Sequence, residues 1–391
     1  MQAGLILLFL AYVLSQFFRA FLAVLAGPLQ SDIGAGPDDL AFASGLWFLV
    51  FAAMQLPVGA LLDRTGPRRT ASILLAIGGG GGAALFALAT APWHITVAMA
   101  LIGVGCSPVL MASYYIFARE YPPARFATLA GLMLGLGSLG NLVASYPMAL
   151  AVELIGWRAA MGVLALASAA VAAGLHVTVR DPAPTEAGTG GSVLTLLKMP
   201  ALWLILPLML VNYAPSAALR GLWIGPYLTD VFGQTTTQIG TATLIMGIAM
   251  IAGTLCYSPA DRIFRTRKWV VFAGNLIGAL ALFALVWSVG TNVWLSIALL
   301  SVVGFFGGSF PVLIAHGRAF FPPHLVGRGV TLMNLFGIGG AGLMQFVTGR
   351  LHDATSDPGV PTAPYTALFA LFGVTLLTGV AIYLFSRDNM D

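Results

Sequence analysis

Twelve long apolar runs, one after another, leave this chain few ways to fold. They fall at roughly 4–27, 42–62, 70–91, 95–118, 126–150, 158–179, 201–227, 238–260, 269–289, 293–316, 329–350 and 363–385. A helix needs about 20 apolar residues to cross a hydrocarbon core of roughly 30 Å, and each run is close to that length. A soluble chain must cover its surface with polar groups. Here 8% of 391 residues are charged and 59% hydrophobic, against about 25% charged in an ordinary soluble domain. The runs lack the ten-residue alternation of a membrane barrel. The expected fold is all-α and membrane-integral, with twelve transmembrane helices. Met1-Gln2-Ala3-Gly4 carries no basic region and no cleavage site, so the first run reads as a retained span.

The basic residues set the expected orientation. With the N-terminus inside, the inner loops and tail hold fourteen: Arg64, Arg68, Arg69, Arg119, Arg125, Arg180, Lys198, Arg262, Arg265, Arg267, Lys268, Arg318, Arg328 and Arg387. The outer loops hold two, Arg158 and Arg350. That bias puts both termini in the cytoplasm and suits the inner membrane of a prokaryote. The net charge of +4 and pI near 9.2 then reflect loop asymmetry, and no nucleic-acid partner is implied. The polar stretch 180–199, with Pro182, Pro184, Gly188, Gly190 and Gly191, reads as a cytoplasmic linker between an N-terminal bundle (1–179) and a C-terminal bundle (200–391).

The halves repeat. Gly27-Pro28, Asp32 and Asp63-Arg64 recur as Gly225-Pro226, Asp230 and Asp261-Arg262, a shift of 198. Pro122-Pro123, Met133, Gly137 and Gly140 recur as Pro322-Pro323, Met333, Gly337 and Gly340, a shift of 200. Tyr12 and Arg19 recur as Tyr213 and Arg220, a shift of 201. Parallel repeats of this kind are a transporter architecture.

The loop after span 2 reads Gly59-Ala60-Leu61-Leu62-Asp63-Arg64-Thr65-Gly66-Pro67-Arg68-Arg69. It resembles the G-x-L-x-D-R-x-G-x-R-R signature of the major facilitator superfamily, and Gly156-Trp157-Arg158 before span 6 is also common there. The second copy, from Asp261 to Lys268, is degenerate. The resemblance covers the whole chain. It implies two six-helix bundles, a central cavity lined by helices 1 and 7, and alternating access. It also implies a gating role for the loop residues Asp63, Arg64, Arg68 and Asp261. Asp63 sits at a helix end among cations, where it can pair with an arginine or face a helix N-terminus; Arg119, at the inner end of span 4, is the candidate partner. The same charges would also serve to fix topology alone.

Two cations lie inside spans, Arg19 and Arg220. A charge near mid-bilayer costs about 2.5–3.5 kcal/mol on insertion scales, and such residues usually face a cavity or a partner. All fourteen acids fall in loops, at span ends or in the tail, so a bound anion is the expected counter-charge. The guanidinium fork suits carboxylate or phosphate. The competing reading is snorkelling toward the outer interface. Tyr12, Gln16 and Arg19 share one helix face, as do Tyr213, Ser216 and Arg220, with Asn212 one turn further away. Tyr114 and Tyr115, following Ser107-Pro108 in span 4, offer an aromatic wall. Asn141 and Asn334 offer polar groups in spans 5 and 11.

The glycine-Asn run Gly131 to Asn141 also faintly resembles that of nitrate/nitrite porters, which place their arginines on helices 2 and 8. Spans 2 and 8 here have none within their cores. Met246, Met250 and Cys256 could bind Cu(I), but methionine is an ordinary core filler. With only Cys106 and Cys256 present, no disulfide framework or zinc pattern exists; no metal or cofactor is expected. His316, at the inner end of span 10, is the residue suited to carrying a proton. The expected protein is a monomeric carrier in the lipid bilayer moving a small organic anion, a carboxylate foremost. The alternatives are a carrier of neutral or cationic solutes, including efflux of hydrophobic compounds, and an inorganic-anion porter. A membrane enzyme would need clustered acids or histidines at a membrane face, and the sequence has no such cluster.

Overall fold

The computed structural model describes residues 2–182, 196–322 and 325–389, without the side chains of residues 2, 123–128 and 326–328. Most of the expected linker 180–199 lies outside the described residues, as do Glu186 and Asp391. Among the described residues the regular structure is helical. Nine helices among the described residues are long and apolar enough to cross a membrane. Two bent pairs, Ala3–Phe17 with Leu22–Ile33 and Pro37–Ala53 with Gln55–Thr65, bring the number to eleven when each is one span. Leu129–Val143 is a shorter apolar helix at the place of the expected fifth span.

The boundary between the fifth and sixth spans falls where the sequence leaves a gap. The helix Pro123–Val143 is broken at Ala144–Ser145 and resumes as Tyr146–Thr178, which carries a non-helical Gly156 (φ 78°, ψ 157°). The break between spans therefore falls at Gly156, within the expected gap between 150 and 158. Glycine reaches the left-handed region at no steric cost.

Local chemistry fixes the other ends. Proline opens Pro37–Ala53, Pro67–Leu74 and Pro92–Cys106, where its missing N–H costs nothing. Gly34 (φ 71°) and Gly233 (φ 62°) close Leu22–Ile33 and Ile224–Phe232 as left-handed caps, one in each half of the repeat. Asn292 caps Val293–Gly307 by accepting from the N–H groups of Trp294 and Leu295.

The chain divides into two compact units, residues 1–187 with 236–241, and residues 188–235 with 242–391. In the first, the glycine run of span 3 meets the backbone of span 4: a Cβ on Gly78 would lie 2.4 Å from the Gly105 nitrogen, and one on Gly105 2.1 Å from the Gly79 nitrogen. Span 5 meets span 1 the same way, since a Cβ on Gly140 would lie 2.0 Å from the Val13 carbonyl oxygen. In the second unit, a Cβ on Gly340 would lie 1.9 Å from the Leu210 carbonyl oxygen. Without a hydrophobic drive between helices in lipid, such close backbone packing holds them together. The glycines that repeat in sequence make the same joint in each unit.

Each unit is also tied at its ends by an aspartate. In the first, Asp181 accepts from the Arg68 backbone N–H (2.8 Å) and pairs with its side chain (3.4 Å). In the second, Asp388 accepts from the backbone N–H groups of Lys268 (3.0 Å) and Arg267 (3.2 Å) and from the Thr266 hydroxyl. In both, a carboxylate that follows the sixth helix of the unit caps the N-terminus of its third, where the helix dipole favours negative charge.

Candidate functional site

Both intramembrane arginines sit where their helices lose regular form. In span 1 the chain turns by 55° between Phe17 and Leu22, with Arg19 in the turn and its N–H on the Gln16 carbonyl (3.4 Å) instead of the regular i−4 partner. In span 7, prolines at 200, 207 and 215 each open a short helical segment. Arg220 follows within a π-helical turn, Leu219–Trp223. Proline removes ladder donors, and such π turns recur at functional sites.

The two side chains are housed differently. Arg19 is half-buried, with its guanidinium over the rings of Phe51 (5.3 Å) and Trp47 (5.4 Å) of span 2. Arg220 is only 3% exposed. Its guanidinium lies flat on span 8, so that a Cβ on Gly247 would be 2.9 Å from one terminal nitrogen and 3.0 Å from Nε. Tyr213 lies within electrostatic reach of it. Cation–π contacts hold a guanidinium while leaving its N–H fork for other acceptors.

The expected neighbours divide into groups. Gln16 donates to the Tyr12 hydroxyl (2.7 Å), and both lie under span 5 at Gly137. Tyr114 packs against the same cluster. Tyr213 meets Phe310 ring to ring (5.4 Å), and the Ser216 hydroxyl donates to the Tyr213 carbonyl (3.1 Å). Asn141 and Asn334 are half-buried in their spans. Asn212 faces elsewhere: its amide donates to Asn275 (2.6 Å) and Ser309 (2.9 Å), a buried polar knot joining spans 7, 9 and 10.

Tyr115 meets Asp63 and Arg119 rather than forming an aromatic wall. Its hydroxyl hydrogen-bonds with Asp63, and the Arg119 guanidinium lies 3.9 Å from its ring centroid. Asp63 and Arg119 thus meet through Tyr115, while Arg64 is exposed and Arg68 belongs to Asp181. In the second unit Asp261 pairs within its own loop, with Arg267 (3.2 Å). His316 is fully buried; its Nε2 meets the Arg387 carbonyl (2.8 Å) and its Nδ1 the Tyr383 hydroxyl (2.6 Å). A carbonyl only accepts, so Nε2 carries a proton there, and the histidine fastens the C-terminal tail to span 10.

Sequence reasoning missed Asp181, Asp388, Gly247 and the aromatic pair Trp47 and Phe51. The repeat held a usable signal for the first two, because each follows the sixth span of its half by a few residues.

Two like halves of membrane-spanning helices, each opening on an interrupted helix that carries a guanidinium, are the build of a membrane carrier. The chain belongs to the Major Facilitator Superfamily, whose family model matches residues 8–224 and 221–390, and it is a transporter of that family. Among curated relatives it is 29% identical over 268 residues to a chloramphenicol resistance protein of Streptomyces lividans, covering 66% of each chain. It is 28% identical over 232 residues to the methyl viologen resistance protein SmvA of Salmonella typhimurium, covering 56% of this chain and 44% of that one. The matched region thus spans about two thirds and under half of those relatives' own lengths. Its fold resembles a bacterial homolog of the human lysosomal transporter Spinster (TM-score 0.80, 16% identity, 98% and 96% of the two chains). It also resembles a D-xylose-proton symporter (TM-score 0.77, 16% identity, 98% of both) and the nucleoside transporter NupG (TM-score 0.74, 16% identity, 98% of both).

Proposed function

We propose that this transporter carries a small organic anion, a carboxylate foremost, by alternating access, with Arg19 and Arg220 as its substrate contacts. The observation that carries the reading is the burial of Arg220 inside a spanning helix, its guanidinium laid on a glycine in a distorted turn. A buried guanidinium is a fixed positive charge in a low-dielectric setting, with a planar fork matched to two carboxylate oxygens. Tyr12, Gln16, Tyr213 and Ser216 lie within one or two helical turns and supply hydroxyl and amide groups for the rest of the solute, with Tyr114, Asn141 and Asn334 along the path. Asp63, Tyr115 and Arg119 form the inner gate of the first unit, and Asp261 with Arg267 its degenerate counterpart. The protein works as a monomer in a prokaryotic inner membrane, with both termini cytoplasmic, and residues 180–199 join halves 1–179 and 200–391.

The test is uptake into proteoliposomes over a panel of carboxylates, phosphates and neutral solutes. One anion should be taken up, Arg220→Ala should lower kcat/KM about 30-fold or more, as expected for a lost charged hydrogen bond, and Arg220→Lys should lie between. Normal transport of the identified anion by both Arg19→Ala and Arg220→Ala would remove the assignment.

A second reading, efflux of hydrophobic or cationic compounds, draws support from the similarity to resistance proteins. Chloramphenicol and methyl viologen therefore belong in the same panel. Transport of either, with both arginines dispensable, would favour it.

A further inference from the structure

Between spans 8, 9 and 10 of the second unit lies a groove of 440 Å³ that the transport reading does not use. Tyr257, Trp269, Ile277, Phe305 and Phe306 line it, with the thiol of Cys256 on one wall. Cys256 is exposed, whereas Cys106 is buried. From Trp269 to Ile277 the groove follows eight residues of helix, about 12 Å at 1.5 Å per residue. That is close to the depth of one leaflet, about half of a 30 Å hydrocarbon core.

One end of the groove is basic. Phe264, Thr266 and Trp269 line it there, and the turn between spans 8 and 9 holds Arg265 at φ 52°. Arg262 and Arg265 are exposed, and the Lys268 ammonium lies 5.1 Å from the Trp269 ring centroid. The nearby acids are already engaged: Asp261 with Arg267, and Asp388 with the Thr266 hydroxyl and two backbone N–H groups. An apolar channel one leaflet deep, with three cations in the turn that carries its end residues Phe264, Thr266 and Trp269, matches one acyl chain beneath one anionic headgroup.

We propose that this groove is a binding site for an anionic phospholipid, its acyl chain lying from Trp269 to Ile277 and its phosphate on Arg262, Arg265 and Lys268. Each cation near a headgroup favours anionic over zwitterionic lipid by about fivefold, and salt weakens the preference. The site is independent of the solute carried.

The test uses the full chain with a bimane fluorophore on Cys256, in nanodiscs of phosphatidylcholine with 20% phosphatidylglycerol. Doxyl-labelled phosphatidylglycerol should quench it more strongly than doxyl-labelled phosphatidylcholine at equal fraction. The triple change Arg262→Gln, Arg265→Gln, Lys268→Gln should erase the difference while leaving the melting temperature of the protein in place. Native mass spectrometry of the unlabelled protein should show phosphatidylglycerol retained over phosphatidylcholine, with the same loss in the triple variant and no release by inorganic phosphate. Equal quenching by the two lipids, a preference that survives the triple change, or release by inorganic phosphate would each overturn the site.

Discussion

The indole N–H of Trp157 donates to the carboxylate of Asp32 (3.0 Å), and the adjoining Arg158 guanidinium bonds to the same carboxylate and reaches the Ala89 carbonyl (2.9 Å). This joint closes the far end of span 1 onto span 6, just beyond the Gly156 break. Asp230, its partner in the repeat, accepts from the Tyr365 hydroxyl of span 12. The same carboxylate position is used twice with different donors. Both charges of the Asp32–Arg158 pair are more than 40% exposed, so the ion pair itself contributes little. Asp32→Asn should therefore lower stability only slightly, mostly through the weakened indole bond. Thermal unfolding in detergent reads it, and Trp157→Phe should lose a similar amount.

Gly247 provides a sharper test of the Arg220 housing. A methyl there would press on the end of a flexible side chain, not on backbone. Gly247→Ala should leave expression and melting nearly unchanged while moving the guanidinium. If Arg220 contacts the solute, KM should rise several-fold with little change in folding, and Gly247→Val should act more strongly. Equal transport by all three proteins would show that the guanidinium position is irrelevant to binding.

The close backbone joints should behave in the opposite way. Gly140→Ala and Gly340→Ala each set a methyl about 2 Å from a carbonyl oxygen. Overpacking of this kind costs about 1–3 kcal/mol or more. Both should lower the melting temperature and the yield, with or without substrate. Gly131→Ala is the control, since its Cβ would meet nothing within 4 Å.

Asp388 gives a pH signature. Burial raises its pKa, but the Thr266 hydroxyl and the N–H groups of Lys268 and Arg267 outweigh that and hold the carboxyl below its ordinary range. A depressed folded pKa contributes stability that is complete above the unfolded value, about 3.9. That contribution fades as pH falls through the lower folded value. Melting temperature should thus fall on acidification below about pH 4, and Asp388→Asn should flatten that limb.

How far the sequence reached can be judged residue by residue. Long apolar runs mark membrane helices because lipid satisfies no backbone group, and the spans emerged from them directly. The repeat located Asp32, Asp230, Gly140 and Gly340 because duplicated chemistry leaves duplicated letters. It did not reveal that Asp388 reaches back to Lys268, since a cap is a meeting of distant segments with no local period. Gly156 lay in the expected gap between spans 5 and 6, yet the letters alone did not show that one left-handed residue makes the whole break. Tyr115 and Asn212 lay on the expected helix faces, yet a helix face spans more than one neighbour, and packing gave them to Asp63 and to Asn275.

A contact made by two main chains has no side chain that can rearrange around an intruder. At Gly140 and Gly340 the room available ends at a hydrogen atom, so adaptation to a new solute cannot begin there. Divergence between the two halves must run around these fixed points, through the polar and aromatic residues of spans 1 and 7, which sit on the same helices and are free to vary.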